Sequence, residues 1–181
     1  MNDEMKIRSH SIANDLWALH HDNAFGVLRV AFGWCELDEY LTTLWEWLQA
    51  ALGNDNSAYE SAPRRIDLMK YYNSVIPLIE ALNTLNEANK HKMLTEDQEK
   101  SLLTKLDMPA QCKITIERFC NSFTWDYSKM ELWDWYDAGN SNNQYYNQGT
   151  DRSLLLLTCQ CVYSLLKASY LIHANYKEPQ Q

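Results

Sequence analysis

Apolar residues recur at helical spacing along most of this chain. From 34 to 52, Trp34, Leu37, Leu41, Leu44, Trp45, Leu48 and Leu52 fall on one face at ~100° per residue, with Glu36, Glu39, Thr43 and Glu46 opposite. The pattern predicts an amphipathic helix whose tryptophan–leucine face enters a core. It stops at Gly53-Asn54-Asp55-Asn56, a glycine followed by loop-forming residues. Upstream, FGVLRVAF is apolar on more than one side, so residues 24–33 should be deeply buried or form a separate helix broken near Gly33. A short first helix is expected over 12–20, after Ser11.

Further along, Pro63 can open a helix that runs to about residue 90, with Pro77 expected to kink or split it by removing an amide donor. Thr95 and Gln98 have the spacing of a capping box, which starts a short helix ending near 106. Pro109 suits a first helical turn, with a helix over 110–123 behind it. In FTWDYSKMELWDWYD, residues 123–137, helical placement puts Trp125, Leu132, Trp133, Trp135 and Tyr136 within an arc of ~160°, which reads as a core face. Asp126, Glu131, Asp134 and Asp137 then lie on the solvent side with Tyr127 and Met130, and Lys129 intrudes on the apolar side. After the polar run AGNSNNQYYNQGT, Thr150 or Asp151 caps a last helix reaching about 174. Its apolar stretch 154–172 carries Gln160, Ser164 and Lys167, and a lysine near mid-span is costly in lipid. A buried central helix is therefore expected rather than a membrane span.

These segments add up to a single all-α domain over 1–181, a compact helical bundle of about five to seven helices with polar loops near 53–63 and 138–150. Only 5 Gly and 4 Pro among 181 residues agree with that, because strands and tight turns need more of both. Hydrophobic residues at 46% provide material for a packed core. The net charge of −8, from 16 basic and 24 acidic residues, argues against a broad nucleic-acid footprint, which gains affinity by placing cations on phosphates. A partner protein with a basic surface fits that charge better, and assembly with copies of itself is compatible with it. The first eleven residues contain no apolar signal segment, and the five cysteines are odd in number without a C-x-x-C. A soluble, cytoplasmic chain with reduced thiols is the expectation.

Phosphate-cradling glycine loops, G-x-S-x-G, H-E-x-x-H and E-x-x-H are all missing from the sequence. One carboxylate pattern remains. Glu36 with Glu39 and Glu131 with Asp134 form E-x-x-E and E-x-x-D pairs, each on one helix face. Two such pairs facing each other could hold Mg²⁺ against a nucleotide's phosphates. In this the chain resembles the all-α nucleotide pyrophosphohydrolases, and the resemblance implies Mg²⁺ on Glu36, Glu39, Glu131 and Asp134. Here the two elements lie far apart in the chain, whereas that family keeps them close, and carboxylates at this spacing are common on solvated faces.

The helix FGWCELDEYLTTLWEWL, the basic RRIDLMKYY and Asn89-Lys90-His91 together resemble the plan of helical ribonucleases of the HEPN type. That resemblance implies RNA cleavage through His91, but no arginine stands four to six residues before a histidine. A charged helix end accounts for NKHK more simply. His20 and His21 suit a helix C-terminus, and Cys159 and Cys161 point to different sides of a helix, so neither pair makes a metal site. A nucleophile built from Cys35 with His10 or His173 is open, though nothing selects it.

Recognition surfaces are what remain. Tyr145 and Tyr146 sit among Asn, Gln and Ser, the composition of an adaptable binding loop. The acidic side of 123–137 runs into that loop. Tyr127, Met130, Asp134, Asp137, Tyr145 and Tyr146 are therefore the expected partner-binding residues. The leading expectation is a non-enzymatic acidic interaction protein, without a cofactor, that binds and regulates or neutralises a partner protein as immunity or antagonist proteins do.

Overall fold

Short breaks at Cys35-Glu36 and at Phe123-Thr124 divide neighbouring helices. The computed structural model describes residues 24–52, 59–91, 109–140 and 152–175, which form six helices and no strand. They are α1 (Ala24–Trp34), α2 (Leu37–Ala51), α3 (Ala62–His91), α4 (Ala110–Ser122), α5 (Trp125–Asn140) and α6 (Arg152–Asn175). The helices expected over 12–20 and from Thr95 to 106, with the Gly53 loop and most of the 138–150 run, lie outside the described residues.

Local chemistry explains the boundaries at Cys35-Glu36, Pro109 and Phe123-Thr124. Between α1 and α2 the chain turns at Cys35-Glu36, where Glu36 is extended (φ −66°, ψ 152°) and Asp38 and Glu39 sit in the first turn of α2. Acids there oppose the positive end of the helix dipole. The expected break near Gly33 thus occurs, two to three residues later. Pro109 stands one position before α4, its carbonyl accepting from the amides of Cys112 at 2.8 Å and Lys113 at 3.2 Å. Phe123 is extended and ends α4. Thr124 then caps α5, its Oγ1 accepting from the Tyr127 amide at 3.2 Å and its carbonyl from the Ser128 amide at 3.0 Å. Pro77 does not split α3, which continues through it.

α2 packs against α3, α5 and α6; α3 also packs against α1, α4 and α5; and α6 against α1 and α4. Where α2 meets α3 and α5 lies Trp47, fully buried. Its indole meets Tyr71 (5.6 Å), Trp135 (5.7 Å) and Tyr72 (6.2 Å) edge to face. Tyr71 donates to the Tyr40 carbonyl at 2.8 Å, tying α3 to α2. Phe32 of α1 extends the cluster to Tyr40 and to Tyr170 of α6, each at 5.4 Å.

This hub corrects the expected face of α2. Trp34 and Trp45 are 54% and 56% exposed, while Tyr40, Leu44, Trp47, Leu48 and Ala51 are buried. The buried face therefore lies roughly 80° round the helix from the expected one. Leu44 and Leu48 belong to both faces, so leucine spacing could not decide between them. The fit of Tyr40 and Trp47 against rings from α3 and α5 did.

α5 packs closely at Gly139, where a Cβ would stand 2.6 Å from Leu68 Cδ2, 3.7 Å from Tyr59 Cδ2 and 3.9 Å from Ala50 Cβ. Leu68 is fully buried and has little room to yield. At Gly33 a Cβ would meet nothing within 4 Å. Gly33→Ala is expected to stabilise the fold by ~0.5–1 kcal/mol through helix propensity alone. Gly139→Ala should instead destabilise by ~1–2 kcal/mol, since overpacking outweighs the same propensity gain. Urea unfolding of both variants reads the opposite signs, and a stabilised Gly139→Ala would contradict the close approach.

Candidate functional site

α5 is sorted into an inner and an outer side, and the sorting differs from the sequence expectation. Ser128, Glu131, Leu132, Trp135, Ala138 and Gly139 are buried. Glu131, expected in solvent, is only 9% exposed. Its Oε1 accepts the Trp135 indole N–H at 3.0 Å, and its Oε2 lies 3.5 Å from the Tyr127 hydroxyl that donates to it. Tyr127 is half-buried and stacks on Phe123 at 5.5 Å. Burial first, then the Glu131 charge, raises the Tyr127 hydroxyl pKa. The expectation failed for a chemical reason: a buried indole needs an acceptor, and a carboxylate one turn earlier supplies it.

Trp133 took the place expected of Glu131. It is 52% exposed, and Met130 is 57% exposed. Met130, Trp133, Asp134 and Asp137 follow the i, i+3, i+4, i+7 spacing, so they form one outer stripe. Trp133 is propped from the side by Tyr136 (5.3 Å) and by Tyr72 of α3 (5.8 Å), two half-buried rings that lie 5.1 Å from each other. Partial burial, then the neighbouring Asp137, raises the Asp134 pKa. The stripe thus offers an exposed indole and thioether beside two close carboxylates.

Of the expected partner-binding residues, Met130, Asp134 and Asp137 are brought together, and Tyr127 is turned toward Glu131. Tyr145 and Tyr146 lie outside the described residues. Trp133, Tyr72 and Tyr136 were missed. An aromatic arc of ~160° is wide for a single core face, and that width was the available signal that some rings must face outward.

The carboxylate set Glu36, Glu39, Glu131 and Asp134 does not assemble. Among the described residues no three His, Cys, Asp or Glu side chains gather as metal ligands. Glu131 is directed into the Trp135–Tyr127 network, while Asp134 is partly exposed on the outer stripe of α5, and Glu36 and Glu39 are exposed at the start of α2. The geometry also disfavours a thiolate. Cys35 is pushed up to about 12 by burial and then by Glu39, and its Sγ lies 3.6 Å from the Glu36 carbonyl. Cys159 is pushed up to about 11 by burial. All five thiols are free. His173 packs on Phe32 (5.6 Å) and Tyr170 (6.4 Å), and burial lowers its pKa. His10, His20 and His21 lie outside the described residues, as do the side chains of Asn89, Lys90 and His91 at the end of α3.

No protein-family model matches the chain, and neither a curated protein nor a solved structure matches it.

The inner network has a measurable consequence. Glu131→Ala leaves a buried indole donor without its acceptor and is expected to destabilise by ~2 kcal/mol, since hydrogen bonds to charged groups contribute ~1.5–3 kcal/mol. In a double-mutant cycle with Trp135→Phe, the two substitutions should be coupled by ~1–2 kcal/mol. Additive effects in urea unfolding would show that the two side chains do not act as a unit.

Proposed function

We propose that this protein is a non-enzymatic interaction module that binds and regulates or neutralises a partner protein through the outer stripe of α5. One observation carries the reading: Trp133 and Met130 are more than half exposed beside Asp134 and Asp137 on a single helix face. Tryptophan and methionine contribute large, adaptable contact area when a partner covers them. Leaving both in water costs free energy that a binding surface recovers on association. Tyr72 and Tyr136 hold the Trp133 ring from the side, so less side-chain freedom is lost when a partner arrives.

The paired carboxylates set the chemistry of that partner. Asp134 and Asp137 are one turn apart and the chain as a whole is at −8, so a surface with clustered Lys or Arg is attracted and an acidic one repelled. An aromatic centre flanked by acids suits a basic protein surface better than a phosphate backbone, which the same charges repel. Occupying such a surface blocks whatever the partner binds there, which is how an antagonist or immunity protein of this size would act.

The purified chain used as bait should retain a partner that the doubly substituted Asp134→Lys/Asp137→Lys chain does not. With that partner in hand, titration calorimetry should show Trp133→Ala losing ~30-fold or more in affinity, the size of a central aromatic contact. The lysine pair should weaken binding about tenfold, more at low salt than at high salt. The thermal midpoint of Asp134→Lys/Asp137→Lys should stay within a few degrees of the parent, as surface charges away from the core rarely exceed ~0.5 kcal/mol. Equal affinity across these variants would remove α5 as the binding face.

A further inference from the structure

The last helix was expected to be buried as a central element, and it is only half so. Leu155, Val162, Leu165, Leu166 and Ile172 of α6 are buried against its neighbours, but Leu156, Leu157, Tyr163 and Leu171 are exposed, Leu157 by 50%. Gln160, Ser164 and Lys167 complete this outer stripe. α6 is long and apolar enough to cross a membrane by length and composition, yet half of that stretch is buried inside the fold and the outer stripe carries Lys167.

We propose that this protein forms a two-fold symmetric dimer through the outer stripe of α6, packed antiparallel on the same stripe of a second copy. Two features of α6 select a second copy as the occupant. The first is charge. The chain has 24 acidic residues among 181, and none falls within the 24 residues of α6. A molecule at −8 is repelled by its own copy wherever carboxylates are dense. Along α6 that repulsion is weakest, whereas the α5 stripe would set Asp134 and Asp137 against their own copies.

The second feature is register. A two-fold axis between Tyr163 and Ser164 pairs Leu156 with Leu171 of the other copy, Gln160 with Lys167, and Tyr163 with Ser164. The positions in these three pairs are all exposed, and Leu157 falls opposite the half-buried Tyr170, so the stripe meets itself as an isologous interface requires. Lys167 is already placed over the Tyr163 ring, 4.7 Å from its centroid. Its ammonium is therefore held near the centre of the stripe, within a residue-pair step of the partner's Gln160. A helix of 24 residues is ~36 Å long, and one stripe of that length buries less than the ~800 Å² per partner of a standard interface. The dimer is accordingly a reversible one, with a dissociation constant on the order of 1–100 µM.

Sedimentation velocity of the full chain over a range of concentrations tests this. The parent should move from monomer to dimer across that range. Leu156→Glu/Leu171→Glu should remain monomeric while keeping the parent's helical circular dichroism. Gln160→Glu, which faces Lys167 twice across the axis, should tighten the dimer about fivefold, and Gln160→Lys should loosen it by a similar factor. Gln160→Lys/Lys167→Glu, which again sets opposite charges across the axis, should tighten the dimer as Gln160→Glu does, a result that only cross-axis pairing of these positions produces. Asp134→Lys/Asp137→Lys should leave the dimer intact, which separates this interface from the α5 face. A parent that stays monomeric at ~200 µM, well above the expected constant, overturns the proposal. So does a dimer that responds in the same direction to both Gln160 variants. Retention of the parent on phosphatidylcholine–phosphatidylglycerol vesicles, lost in Leu156→Glu/Leu171→Glu, would assign the stripe to a lipid surface instead and overturn it too.

Discussion

The edge-to-face contact between Trp47 and Trp135 is the constraint on which the rest of the packing depends. Trp47 is on α2 and Trp135 on α5, and Tyr71 and Tyr72 of α3 close on the same indole. Three helices are thereby fixed in rotation as well as position, because a ring can be met edge-on from only a few directions. Once Trp47 points inward, Trp45, two residues earlier and ~200° away round the helix, must point outward. Once Trp135 points inward, Glu131 comes in with it to accept the indole proton, and Trp133 is turned to the surface. The exposure of Trp133 is therefore a consequence of core geometry, and the surface follows from the interior.

That coupling explains which parts of the molecule were legible in sequence. The helical class, the separation of α1 from α2, the start of α4 after Pro109 and the course of α6 follow from period, proline and glycine chemistry, all of which act within a few residues. Rotation about each helix axis does not. On α2 the expected and observed faces share Leu44 and Leu48, and they differ in whether Trp45 or Trp47 goes in. Both are tryptophans, so hydropathy ranks them equally, and only the position of Tyr71 and Trp135 decides. On α5 the same ambiguity was compounded by a charge. A glutamate is ordinarily assigned to solvent, and its value as an acceptor for a buried indole emerges only when the indole one turn later is known to be inside.

The positions of the candidate residues on α5 follow the same division between local and tertiary causes. Met130, Asp134 and Asp137 lie together where the acidic side was expected, because i, i+3, i+4 and i+7 positions share a face whatever packs behind them. Trp133 was assigned to the core from its hydrophobicity, and it is the exposed centre of the stripe instead. The paired carboxylates failed for the complementary reason. Spacing within one helix can be read from sequence, but whether two helices bring their pairs face to face is a tertiary fact, and here Glu131 is turned inward and Glu36 and Glu39 are exposed.

Charge is distributed along the chain as unevenly as the aromatic rings are across its core. α5 has four aspartates or glutamates, the buried Glu131 together with Asp126, Asp134 and Asp137, whereas α6 has none. α2 packs against both helices, and their outer stripes differ in electrostatic character. A surface that carries apolar side chains and carboxylates together attracts cationic partners and keeps copies of itself away. One that carries apolar side chains and a single ammonium imposes no such repulsion. The same hydrophobic driving force can then be directed to different associations by the sign of the charges beside it, without any change to the fold that presents them.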